Sequence, residues 1–276
     1  GDHTVGGTSD ILAIRLNTDG QLDPTFGNND GDGTPDGIVS ISQGAGKDYG
    51  KAVALQPDGK IVIAGDHTQG KTSDISAVRL LSDGTLDASF GAGSGDGTPD
   101  GIVSISLGDG KDYGNAVVIQ PDGKIVIGGD HTVKDTRDLT VLRLNINGSL
   151  DNTFGQGNGD GTPDGIVSLS LGDGKDFGKA LALQADGKIL LGGYHTFGNN
   201  SDLNVTRFNP DGSLDLSFAT ANDQGYAGGG TAYISQGAGK DYGNALAIQP
   251  DGKIIIAGNR MVKTTSDVSV ARLLAE

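Results

Sequence analysis

The chain contains no cysteine and no tryptophan, a single methionine, and only 8 prolines in 276 residues. Without cysteine there can be no disulfide, no iron–sulfur cluster and no cysteine-bound zinc. That suits a secreted bacterial protein that avoids thiol chemistry, although a cytosolic protein could be built the same way. Aromatic residues make up 5% of the chain, which counts against a lectin that stacks sugars on exposed rings. Positive charge is scarce, with 20 basic residues against 35 acidic ones and a net charge of −15. A nucleic-acid partner is therefore not expected, since no basic patch is available to displace counterions. No apolar run approaches the roughly 18 residues that would span a bilayer, so membrane insertion is not expected either. The start shows no basic-then-apolar leader, which a mature or excised chain would have lost. Convincing helical periodicity is absent as well.

Glycine, by contrast, is abundant at 49 residues. It follows neither collagen's three-residue period nor a low-complexity run, so it points to many tight turns between short strands.

The turns recur. Lys-Asp-aromatic-Gly occurs at Lys47–Gly50, Lys111–Gly114, Lys175–Gly178 and Lys240–Gly243, a spacing of about 64 residues. Asp-Gly-Lys begins at Asp58, Asp122, Asp186 and Asp251, and Leu-Asp-x-x-Phe ends at Phe26, Phe90, Phe154 and Phe218. Such a period is the mark of a tandem-repeat architecture. The divisions are a partial repeat 1–46, repeats 47–110, 111–174 and 175–239, and a final partial repeat 240–276, together read as one repeat domain.

Within a repeat, Ala52–Gln56 reads as a strand, Pro57-Asp58-Gly59 as a hairpin turn, and Lys60–Ala64 as the returning strand. Proline presets φ, and glycine takes the left-handed position without steric cost. Ile75–Leu80, which follows a polar loop after Ala64, and Ile102–Ser106 supply two more strands, giving an antiparallel meander. The first three strands are apolar on both faces, so each sheet must be sandwiched between neighbours. An all-β propeller built from four repeats of about 64 residues, each four-stranded, meets that need, and a β-solenoid-like repeat array is the alternative.

Three motifs then appear in order: Leu55–Gly65 (LQPDGKIVIAG), Ala77–Leu80 (AVRL) and Asp83–Gly91 (DGTLDASFG). In this the chain resembles the delta-60 repeat. The resemblance covers nearly the whole chain, and it implies a propeller-like fold in bacterial surface or secreted proteins, with no chemistry attached. Ala185 departs from the pattern by replacing the turn proline, and the repeat is lengthened by a glycine-rich insert. The extracellular or cell-surface location expected here rests on this resemblance.

The insert carries the candidate metal ligands: Asp30, Asp32 and Asp36, then Asp96 and Asp100, then Asp160 and Asp164. Asp, Asn and Ser alternating with glycine let a tight loop wrap oxygens around calcium, although a solvated glycine-rich turn explains the same residues. The spacing departs from an EF-hand, and the fourth copy, Asn222 to Tyr226, has lost it.

His3, His67, His131 and His195 share one repeat position, which Arg260 occupies in the last copy. Equivalent residues of separate blades cannot share one zinc ion, so these are read as structural. Arg15, Arg79, Arg143, Arg207 and Arg272 follow Asp10, Asp74, Asp138, Asp202 and Asp267 by five residues, and Asp23, Asp87, Asp151 and Asp215 form a second acidic series. These are read as packing ion pairs. Tyr49, Tyr113, Phe177 and Tyr242 keep a ring but not a hydroxyl, which favours packing.

No nucleophile motif, phosphate loop or dinucleotide fingerprint stands out. The sequence thus predicts a non-catalytic extracellular scaffold or adhesion module, stabilised by calcium. Its partners would be other cell-surface proteins, glycans, or itself through pairing of the strand Ile11–Leu16. The alternatives are a ligand- or glycan-binding propeller, and an enzyme whose site in the central channel would use Asn222 to Tyr226 and Arg260.

Overall fold

Each Pro-Asp-Gly turn closes as its residues dictate. In the computed structural model, Gln56 N–H donates to Lys60 O at 2.8 Å and Gly59 N–H to Gln56 O at 2.9 Å. Gly59 sits at φ +84°, where a side chain would be strained. The structure describes residues 1–5, 7–27, 34–91, 100–155, 162–219, 229–237 and 239–274. Among these it contains strands and turns and no helix.

The strands are β1 (Asp2–Val5), β2 (Thr8–Ile14), β3 (Ile38–Ile41), β4 (Lys47–Leu55), β5 (Ile61–Gln69), β6 (Thr72–Leu80), β7 (Ile102–Ile105), β8 (Asp112–Ile119), β9 (Ile125–Val133), β10 (Thr136–Leu144), β11 (Ile166–Leu169), β12 (Lys175–Leu183), β13 (Ile189–Phe197), β14 (Asn200–Phe208), β15 (Thr231–Ile234), β16 (Lys240–Ile248), β17 (Ile254–Val262) and β18 (Thr265–Leu273). They form two compact units. In the first, Gly1–Ile125 with Leu144–Ser149, the sheet order is β1-β2-β4-β5-β6-β7, and β3 pairs with β2. In the second, Val126–Arg143 with Leu150–Glu276, the order is β9-β10-β12-β13-β14-β16-β17-β18, with β11 on β10 and β15 on β14.

Two elements differ from the sequence expectation. The Lys-Asp-aromatic-Gly tetrapeptide is strand rather than loop: Lys47, Asp48, Tyr49 and Gly50 pair with Thr68, His67, Asp66 and Gly65, and a bulge follows between Gly50 and Ala52. The polar stretch after Ala64 is likewise strand, since β5 and β6 pair out to Gln69 and Thr72 around a two-residue turn. Cross-strand polar pairs hold this extension, including Thr68 Oγ1 and Ser73 Oγ at 2.7 Å. Polar side chains read as a loop in one dimension, yet a hairpin can satisfy them across its own strands. β2, which contains most of Ile11–Leu16, pairs with β1 on one side and β3 on the other.

Apolar residues fill the sheet faces as expected. Val62, Ala64, Val78 and Leu80 are fully buried in the first unit, and Leu190, Leu203, Val205 and Ile254 in the second. Beneath the turns at Gly84, Gly148 and Gly212 lie Phe26, Phe90 and Phe154, each from the Leu-Asp-x-x-Phe motif of the preceding repeat, with Phe90 and Phe154 wholly buried.

Candidate functional site

Arg15, Arg79, Arg143 and Arg207 form ion pairs as expected, but their partners belong to the second acidic series. Arg79 Nε donates to Asp87 Oδ2 at 2.7 Å, as Arg143 does to Asp151 and Arg207 to Asp215. The guanidinium of Arg79 lies 4.3 Å above the Phe90 ring. Its Nη1 reaches a carbonyl of the following repeat, Ile146 O, and Arg143 Nη1 reaches Pro210 O at 2.6 Å. Burial opposes ionisation of Asp87, but the Ser89 hydroxyl and amide and the Arg79 charge outweigh it and lower its pKa to about 2.

The aromatic positions also pack. Phe177 stacks on Tyr194 at 4.5 Å between ring centres, with the Arg137 guanidinium 5.1 Å from its own ring centre.

The histidines sit in rows. Strand register sets Asp48, His67 and Asp74 side by side across β4, β5 and β6, and Asp176, His195 and Asp202 across β12, β13 and β14. His67 Nδ1 bonds Asp48 Oδ1, and His195 Nδ1 bonds Asp176 Oδ1. The second oxygen of each aspartate accepts a backbone N–H, from Gln43 and Leu171, at 2.8 Å. Arg260 takes the histidine's place beside Asp241, its Nε 3.8 Å from Oδ1. Asp112, 1% exposed, accepts from Leu107 N–H at 2.6 Å, and its Oδ1 has no hydrogen-bond partner among the described residues. Burial raises its pKa to about 6, and the charge of Asp74 adds to the rise.

His131 is arranged differently. It is buried, its Nδ1 makes no hydrogen bond among the described residues, and its Nε2 lies 3.2 Å from Ser168 Oγ. Ser168 is exposed on β11, opposite Thr140 of β10. Burial lowers the pKa of His131 below its ordinary 6.5, against the pull of the Asp138 charge. Burial raises that of Asp138, with Asp176 adding to the rise and the Ser170 hydroxyl opposing it. A neutral imidazole beside an exposed hydroxyl is the arrangement that activates a serine nucleophile. No linear motif marks it. The signal was the repeat frame, which puts the histidine and the serine (Ser40, Ser104 and Ser168 in successive copies) at fixed positions.

Beside Ser168, residues Leu169, Ser170, Leu171, Leu214, Gly229, Thr231 and Tyr233 line a cavity of about 180 Å³. A groove of about 400 Å³ in the first unit is lined mainly by apolar residues with Arg15 and Lys51, and neither histidine nor carboxylate lines it.

Of the predicted calcium ligands, Asp30, Asp32, Asp96 and Asp160 lie outside the described residues, as do Asn222 to Tyr226. Asp36, Asp100 and Asp164 each accept the backbone N–H two residues on, at 2.9, 2.9 and 3.0 Å, and so shape the entry to β3, β7 and β11. No group of three or more potential metal ligands occurs among the described residues.

Residues 1–26, 56–90, 120–154, 184–218 and 249–276 match the β-propeller domain of unknown function DUF5122. The chain belongs to this β-propeller family. No curated protein sequence matches the DUF5122 chain. Solved structures similar to it include an exo-1,5-α-L-arabinanase from a bovine ruminal metagenomic library, at 14% identity and a TM-score of 0.40 over 83% of this chain and 73% of that one. Another is a gluconolactonase from Xanthomonas campestris, at 14% identity and a TM-score of 0.37 over 89% and 61%.

The expectation of a non-catalytic scaffold or adhesion module is corrected here. The two neighbours that stand against it are, by name, an arabinanase and a gluconolactonase. The glycan-binding alternative gains no support from them. At TM-scores of 0.40 and 0.37 the likeness brings neither neighbour's activity nor its substrate to this chain.

Proposed function

We propose that this propeller is a hydrolase acting on esters through Ser168. The observation that carries the reading is the 3.2 Å contact between Ser168 Oγ, exposed on β11, and Nε2 of the buried His131. With the ring proton on Nδ1, Nε2 accepts the Ser168 proton as Oγ attacks the carbonyl carbon. The same proton then passes to the departing alkoxide, which leaves as the alcohol. Water, deprotonated by Nε2, releases the acid from the acyl-serine and returns the proton to Oγ.

Depression of the His131 pKa supports a base role, because the ring stays neutral at and somewhat below its ordinary value. The finer identity, a delta-60 repeat working outside the cell, belongs to the same proposal. It is supported by the three ordered motifs and the absence of cysteine.

The test is labelling with a fluorophosphonate followed by mass mapping, alongside hydrolysis of p-nitrophenyl esters. Ser168 is expected to carry the label. Ser168→Ala should abolish turnover, and His131→Gln should lower it by about 10²- to 10⁴-fold. An unlabelled Ser168, with turnover unchanged in Ser168→Ala, would overturn the assignment.

A further inference from the structure

We infer that the cavity walled by Leu169, Ser170, Leu171, Leu214, Thr231 and Tyr233 is the acyl pocket of this site and selects short-chain acyl esters; this rests on Ser168 being the nucleophile.

Three observations converge. The first is position. Ser170 lines the cavity and follows Ser168 by two residues, a backbone span of at most about 7 Å. An acyl group bound to Ser168 Oγ therefore reaches the cavity after a few carbons.

The second is size. A volume of about 180 Å³ corresponds to about six water-sized volumes, which suits an acyl chain of roughly four to six carbons and leaves the rest of a longer one without wall contact.

The third is departure from the repeat. Thr231 stands where Ile38, Ile102 and Ile166 stand in the other copies, and Tyr233 where Ser40, Ser104 and Ser168 stand. Both departures fall in the wall of this one cavity. Thr231 is fixed there by a 3.0 Å hydrogen bond between its Oγ1 and that of Thr206, and the ring of Tyr233 meets His195 edge-on at 6.2 Å. Leu169, Leu171 and Leu214 supply apolar wall for an alkyl chain, and Ser170, Thr231 and Tyr233 make the rest of the lining polar.

The experiment measures kcat/KM for p-nitrophenyl acetate, butyrate, hexanoate, octanoate and dodecanoate. The wild-type protein is expected to peak at butyrate or hexanoate and to fall about tenfold or more at dodecanoate, about the step that a few mismatched methylenes produce in a pocket. Leu171→Trp, which fills the cavity, should lower the hexanoate-to-acetate ratio about tenfold. Leu214→Ala, which widens it, should move the peak to longer chains, so the pocket is tested even if the bulky variant fails to fold. A flat chain-length profile that neither variant alters, with Ser168 still labelled by fluorophosphonate, would overturn the pocket alone. Absence of label on Ser168 would remove the nucleophile and the pocket together.

Discussion

At the scale of single residues, the fold depends on charges placed where water cannot reach them. Arg79 is 2% exposed and Asp87 4%. Such a pair adds little over an apolar replacement, but breaking it strands a buried charge. Arg79→Met is therefore expected to cost about 3–5 kcal/mol in urea unfolding. The folded pKa of Asp87 is about 2, below the ordinary 3.8, so its contribution is present above 3.8 and is lost as pH falls toward 2. Asp112 has the opposite sign. Its folded pKa of about 6 lies above 3.8, so the folded state holds the proton more tightly and stability declines as pH rises through that window. Asp112→Asn keeps an acceptor for Leu107 N–H and removes the decline. The variant should gain about 3 kcal/mol at pH 7, about two pKa units at about 1.4 kcal/mol each, and nothing at pH 3.5. Equal gains at both values would show that the ionised carboxylate is not the cause.

At the scale of elements, glycine and proline set the joints. A Cβ on Gly193 would lie 1.7 Å from Phe177 O, and the same clash recurs at Gly65 and Gly258 against Tyr49 and Tyr242. Here the two strands approach too closely for any side chain, just before the bulge between Gly178 and Ala180. Gly193→Ala should cost about 3 kcal/mol or more, read as a lower denaturation midpoint. The turn at Ala185 offers the reverse experiment. Gln184 N–H to Lys188 O and Gly187 N–H to Gln184 O, both 2.9 Å, reproduce the bonds made around Pro57, Pro121 and Pro250. Ala185→Pro should therefore stabilise by about 0.4–1 kcal/mol, because it restricts the unfolded chain and leaves the turn as it is. A loss of stability would mean that the third copy's turn differs in a way its hydrogen bonds do not show.

At the scale of the whole molecule, a net charge of −15 surrounds loops whose Asp-Gly alternation motivates the calcium proposal. If those loops hold calcium, adding the ion should raise the melting temperature and a chelator should reverse the rise; equal melting in both would remove the proposal. The repeat, its all-β character, its turns and its buried apolar strands were legible from Leu55–Gly65 and its copies alone. Each rests on local chemistry: proline and glycine set backbone angles, and alternating apolar residues set faces. The sequence also marked Arg79 and its equivalents as ion-paired, but spacing along the chain suggested Asp74 as readily as Asp87, and only the fold brought Asp87 to Nε. The site was out of reach for the same reason. His131 and Ser168 are 37 residues apart, and nothing local to either tells it apart from its copies at His67 or Ser104. Position in the repeat fixes which strand a residue occupies, whereas an imidazole's hydrogen-bond partner depends on the packing of neighbouring strands, which is a tertiary decision.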